Sequence, residues 1–167
     1  GTPDDGEVYG SIIFSYTDSV CGTTEYTATT RILGSTPNPA ISIVTVDAAM
    51  GKNVVKWDAP AALPDYVDNV IIYKEEGSTN NWVRQAEIAV SAGQWIDLAS
   101  DPRVRKNRYR FSYHTNFGAE SEMSPVHSST HLQINRGLNN SINLVWTKYE
   151  GGTIESYRIL RGTSPDN

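Results

Sequence analysis

One cysteine, Cys21, stands in a chain of 167 residues, so no intrachain disulfide framework can staple the fold and its stability must come from packed cores. A catalytic thiol needs a neighbouring histidine or a positive setting; Ser19, Val20, Gly22 and Thr23 supply neither, and Cys21 reads as a spare thiol in a turn. Basic residues are also short: Lys plus Arg number 14 against 19 Asp plus Glu, a net charge of −5, which removes the cationic patch that nucleic acid would require. No apolar run approaches the length of a membrane span, and no signal peptide opens the chain. Gly1-Thr2-Pro3 begins abruptly, as a segment of something longer would. Helical periodicity is missing throughout. So are a glycine-rich phosphate loop, a Ser, His and Asp constellation, and flanked carboxylate pairs on opposing strands.

What is present is strand and turn. Hydrophobic residues make up 38% of the chain, with 9 Tyr and 4 Trp, an ordinary globular composition. Tyr109, Phe111 and Tyr113 alternate with Arg110, Ser112 and His114, the two-residue period of a strand with one buried face. Asn116 and Gly118 turn the chain, and a second extended segment is expected from Glu120. Upstream, Ile41–Val46, Asn53–Trp57, Asn69–Lys74, Trp82–Ile88 and Gln94–Asp97 read as further strands, separated by turns at Gly51, Gly77–Asn81 and Ala92-Gly93.

The chain repeats itself. Phe14-Ser15-Tyr16 overlays Phe111-Ser112-Tyr113, and Thr30–Leu33 overlays Ser129–Leu132. Ile142–Trp146 matches Asn53–Trp57, and Tyr157–Arg161 matches Val70–Lys74. Residues 1–36 are therefore expected to be a loose tail, the last two strands of one module and a linker at Gly34–Pro39. Residues 37–132 form one complete module, and residues 133–167 carry the first three strands of another.

The strand from Tyr109 and the run Ser121-Glu122-Met123-Ser124 resemble the last two strands, F and G, of a fibronectin type III domain, with Trp57 standing where that family keeps a tryptophan on strand B. The resemblance implies an immunoglobulin-like, all-β sandwich and casts Tyr109 as the tyrosine corner, its hydroxyl bonding upstream backbone and its ring filling the core. In the first copy Ile12 takes the place of that tyrosine. Asp97, Asn107-Arg108-Tyr109, Thr130-His131-Leu132 and Trp146 followed by Tyr149-Glu150-Gly151 look like tandem fibronectin type III repeats of large exported bacterial proteins. Such repeats imply a secreted or cell-surface spacer or adhesion stalk, without catalysis or cofactor. Its partners would be other domains of the same parent protein and cell-surface proteins or glycans.

Against that frame Trp57, Tyr109, Phe111 and Trp146 are expected in cores, since burying an indole removes some 150 to 250 Å² from water. Trp82, Trp95 and Tyr66 are the candidates for stacking on sugar rings, the alternative reading being a carbohydrate-binding accessory domain. His127 and His131 share a strand face, but intervening turn residues put them at the surface and a zinc site would want a third ligand, so no metal is expected. Glu75-Glu76 and Glu120-x-Glu122 lack the dense spacing of a calcium loop. Arg161-Gly162-Thr163 lacks the aspartate of an integrin-binding tripeptide, and Asp18-Ser19-Val20 has the short form of a bacterial O-glycan acceptor. The partial modules at the two ends present unpaired strand edges, through which copies are expected to be able to self-associate.

Overall fold

The computed structural model describes residues 8–18, 22–32, 38–61 and 63–162. Cys21, Ser19, Val20, Thr163 and most of the Gly34–Pro39 linker lie outside these residues. The chain divides into two compact units, residues 1–36 and 37–167.

In the first unit β1 (Val8–Asp18) and β2 (Gly22–Ile32) form an antiparallel hairpin in unbroken register, with Phe14 opposite Tyr26. Threonine dominates β2, as β-branched residues suit a pleated backbone.

The second unit holds a sandwich of two antiparallel sheets, the fibronectin type III-like arrangement that the resemblance implied. One sheet runs β3 (Ile43–Asp47), β4 (Lys52–Lys56), β7 (Gln94–Asp97). The other runs β6 (Trp82–Ala89), β5 (Val67–Glu75), β8 (Arg108–Thr115), β9 (His127–Ser128). Alternation decides the facing. Asn53, Val55 and Trp57 point inward from one sheet and Tyr109, Phe111 and Tyr113 from the other, and the Trp57 and Phe111 rings meet at 5.9 Å. Val70 and Ile72 of the central strand β5 are fully buried beneath them.

The sandwich also encloses charge. Lys74 reaches Asp97 at 2.7 Å, both side chains almost wholly out of water. Asp97 accepts the Tyr109 hydroxyl proton at 2.8 Å, and that hydroxyl accepts a hydrogen bond from the Asn53 amide at 2.9 Å. The tyrosine-corner expectation is thus corrected in its partner: Tyr109 bonds side chains, not upstream backbone. A carboxylate is a stronger acceptor than a carbonyl, and Asp97 sits within reach across the two sheets. Burial beside Asp97 pushes the Tyr109 phenol far above its ordinary pKa.

Two sequence expectations about strands are also corrected. The segment from Glu120 is not a continuous strand: only a bridge at Glu120 and the two-residue β9 pair with β8. Between them serines do the pairing, because Tyr113 N–H donates to Ser121 Oγ at 2.9 Å and Phe111 N–H to Ser124 Oγ at 3.0 Å. The Ser121 and Ser124 amides return bonds to the Tyr113 and Phe111 carbonyls. Downstream, β10 (Leu132–Arg136) and β11 (Ile142–Trp146) form a two-stranded sheet. Residues 157–161, expected as a third strand, take no regular structure.

Candidate functional site

A dense set of side-chain interactions outside the core, among the described residues, lies where the sandwich meets residues 147–151. Thr147 N–H donates to the His131 carbonyl at 3.0 Å, and His131 N–H to Thr147 Oγ1 at 2.9 Å. Three residues on, Ser128 N–H donates to the Glu150 carbonyl at 2.9 Å and Glu150 N–H to Ser128 Oγ at 3.1 Å. The segment thereby continues the hydrogen bonding of the β9 edge, which would otherwise stand open.

Arg108, on β8, clamps the segment from the side. Its Nε and Nη2 donate to the two Glu150 carboxylate oxygens at 3.0 and 2.8 Å, a bidentate fork, while Nη1 reaches Glu75. The Glu150 carboxylate, foremost among the causes, raises the guanidinium's pKa. Arg108 also lies over the Trp82 ring at 5.6 Å, and Arg110 lies over it at 5.5 Å. Such cation–π contacts contribute about 0.5–1 kcal/mol each at exposed sites.

The third contact is aromatic. Tyr149 Oη accepts from Val44 N–H at 3.0 Å and lies 2.9 Å from His127 Nδ1. A phenolic oxygen can donate and accept at once, so this bond forms with either imidazole tautomer and ties together two rings that meet edge-on at 5.9 Å. Gly151, at φ +113°, presses its backbone against the His127 ring so closely that a Cβ there would overlap it. Burial holds the His127 pKa below its ordinary value, and burial likewise raises that of Tyr149.

His127 and His131 are therefore interior residues, 7% and 8% exposed, which corrects their expected surface placement. The turn-forming residues around them are covered by the following segment, and His131 Nδ1–H donates to the Pro102 carbonyl at 2.8 Å. Among the described residues no three His, Cys, Asp or Glu side chains come together as a metal site.

The sugar-stacking candidates are dispersed. Tyr66 is buried against Phe117 at 5.6 Å, and Trp95 turns inward, its ring edge-on to Tyr109 at 6.3 Å. The burial of Tyr66 corrects its expectation, while Trp95 is half-buried. Trp82 is half-buried beneath its arginines on the outer face of the sheet. Beside it Tyr73 and Ser112 both donate to Glu120, while His114, Asn69 and Arg84 converge on Glu87, whose pKa the His114 bond lowers. Of the core set, Trp57, Tyr109 and Phe111 are 3%, 0% and 0% exposed. Trp146 is corrected: it is 36% exposed, because β10 and β11 have no second sheet across them among the described residues.

Sequence reasoning named Tyr149-Glu150-Gly151 only as part of a resemblance and missed Arg108, Glu150 and His127 as a set. Their signal is a long-range pairing, and no local pattern encodes it.

No known family model matches the chain, and no curated protein matches it either. Among solved structures it is similar to an Fn3-like protein from Clostridium thermocellum, at 14% identity and a TM-score of 0.47, covering 57% of this chain and 93% of that one. The sandwich assignment rests on the strand order and the packed core.

Proposed function

We propose that this chain is a non-catalytic structural spacer or adhesion module of an exported, multidomain cell-surface protein, in which one sandwich is locked to the segment that follows it. The observation that carries this reading is the junction at Arg108, His127, Ser128, Tyr149 and Glu150. A flexible tether would need none of these bonds. Here paired backbone bonds, a bidentate ion pair and a glycine fitted against an imidazole fix how β10 and β11 leave the sandwich. Inter-domain contacts within a chain are by default loose enough to permit relative motion. A spacer must suppress that motion to hold a distal domain at a set distance. The exported location rests on the resemblance to tandem repeats alone.

Amide relaxation by NMR tests the reading. The sandwich and the β10–β11 hairpin should tumble with one correlation time, and Glu150→Ala should give the hairpin its own faster motion. Independent tumbling in the unaltered protein would sink the spacer reading.

A further inference from the structure

Among the described residues Lys74 is the only buried lysine, and its ion-pair partner Asp97 is as deeply buried. The two come from different sheets, Lys74 from β5 and Asp97 from the end of β7. An amine and a carboxylate held in contact away from water are an ion pair, and they are also the two halves of an amide. Desolvation favours the amide, because burial destabilises both charges and the amide carries neither.

The surroundings of Asp97 give its two oxygens different roles. Oδ2 takes Lys74 Nζ at 2.7 Å and the Tyr109 hydroxyl at 2.8 Å, so two donors stand against the oxygen that would leave. Oδ1 accepts the Ala99 N–H at 3.0 Å, a fixed backbone donor on the oxygen that would carry negative charge. Nζ, touching Oδ2, is one bond from the Cγ carbon it would attack, and such proximity turns a condensation between two groups into an intramolecular one. Asn53 Nδ2 donates to the Tyr109 oxygen at 2.9 Å and so helps aim its hydroxyl at Asp97, while the raised pKa of the phenol keeps the proton in place.

We propose that Lys74 and Asp97 condense to an amide that joins β5 to β7 across the two sheets. One proton passes from the Lys74 ammonium to Oδ2, the neutral amine attacks Cγ, and the C–N bond forms as negative charge gathers on Oδ1. A second proton then moves from the nitrogen to Oδ2, the C–Oδ2 bond breaks, and water leaves. The three hydrogens of the ammonium end as one on the amide and two on the water, both charges vanish together, and no oxidant, reductant or co-reactant is consumed. The chain folds with the ion pair and the bond accumulates afterwards, since the folded sheets are what bring the two side chains together. The cross-link lies inside the sandwich and does not involve the junction, so it stands or falls separately from the spacer reading.

Intact-mass spectrometry of the full chain tests the proposal, in a time course that compares freshly folded protein in native buffer with a sample held in urea. A species lighter by one water is expected to accumulate in native buffer and not in urea. Trypsin should fail to cut after the acylated Lys74 and should release residues 57–84 joined to residues 85–103 as one branched product. Lys74→Arg, which keeps the cation but cannot form this amide, should stay at full mass. A succinimide at Asp5-Gly6 would give the same mass loss, but hydroxylamine opens it, Lys74→Arg retains it, and it yields no branched product. A mass that stays full throughout the course in native buffer overturns the proposal. So does a lighter species without the branched product, or one that Lys74→Arg forms equally.

Discussion

Replacing Asp97 with asparagine removes one charge and one acceptor, the Oδ1 that takes the Ala99 N–H at 3.0 Å. The amide oxygen can still accept the Tyr109 hydroxyl proton, so the perturbation falls chiefly on Lys74, whose side chain is 3% exposed and whose ammonium stands 2.7 Å from the lost carboxylate. Breaking a buried pair by deleting one partner costs about 3–5 kcal/mol, because the survivor remains charged and desolvated. A domain of this kind is stable by roughly 5–15 kcal/mol in all, so Asp97→Asn is expected to remove a large share of the sandwich's stability. With a urea slope of roughly 2 kcal/mol per molar, the unfolding midpoint should fall by about 1.5–2.5 M. Tryptophan fluorescence reads this well, since Trp57 and Trp95 both pack against the core aromatics. The companion variant Asp97→Asn with Lys74→Met replaces the stranded cation by an apolar side chain of similar length and should recover at least half of the loss. A single variant within about 1 kcal/mol of the parent would refute the argument. A double variant no more stable than the single one would show that Asp97 matters through Tyr109 and not through charge.

The junction yields three further expectations. Gly151→Ala must place a methyl group into the His127 ring from a positive-φ backbone; strain of this kind costs roughly 1–3 kcal/mol and should open the junction, seen as faster hydrogen exchange at the Ser128 and Glu150 amides with the sandwich's Phe111 amide unchanged. Arg108→Lys keeps the charge but cannot make the two-oxygen fork to Glu150, so the same amides should exchange about tenfold faster, equivalent to roughly 1.4 kcal/mol. Burial, which lowers the His127 pKa, gives a pH dependence of definite sign. Its pKa in the folded protein lies below the ordinary value of 6.5, so the unfolded form binds more protons in that window, and stability is full above pH 6.5 and lost as pH falls through the folded value. Arg108 and Tyr149 face the same contact with raised pKa values and keep one charge state there, so His127→Gln should flatten an acid-induced rise in exchange at Ser128; a rise that persists would assign it elsewhere.

Trp57 and Trp146 show how far local pattern reaches. Both close a short strand with the same alternation, and from sequence alone they are one residue in two copies. Alternation states which face of a strand is apolar, and on that it was right twice: Trp57 turns inward from β4, and Trp146 shares its face with Leu132, Ile134 and Leu144. It cannot state whether a second sheet lies across that face. For Trp57 the cover is Phe111, fifty-four positions away, and for Trp146 no equivalent is present among the described residues. The same limit explains His127. Pro125 and the serines around it are turn-forming, and by that measure the histidine belongs outside. It is inside because Tyr149 and Gly151 come back over it, and their contribution depends on Arg108 holding Glu150 between them. The strands that build the sandwich are encoded over a few residues and are legible, while the expected strands from Glu120 and at 157–161 are not continuous strands in the fold. The junction is made by segments meeting across tens of residues, and it is decided by what arrives second.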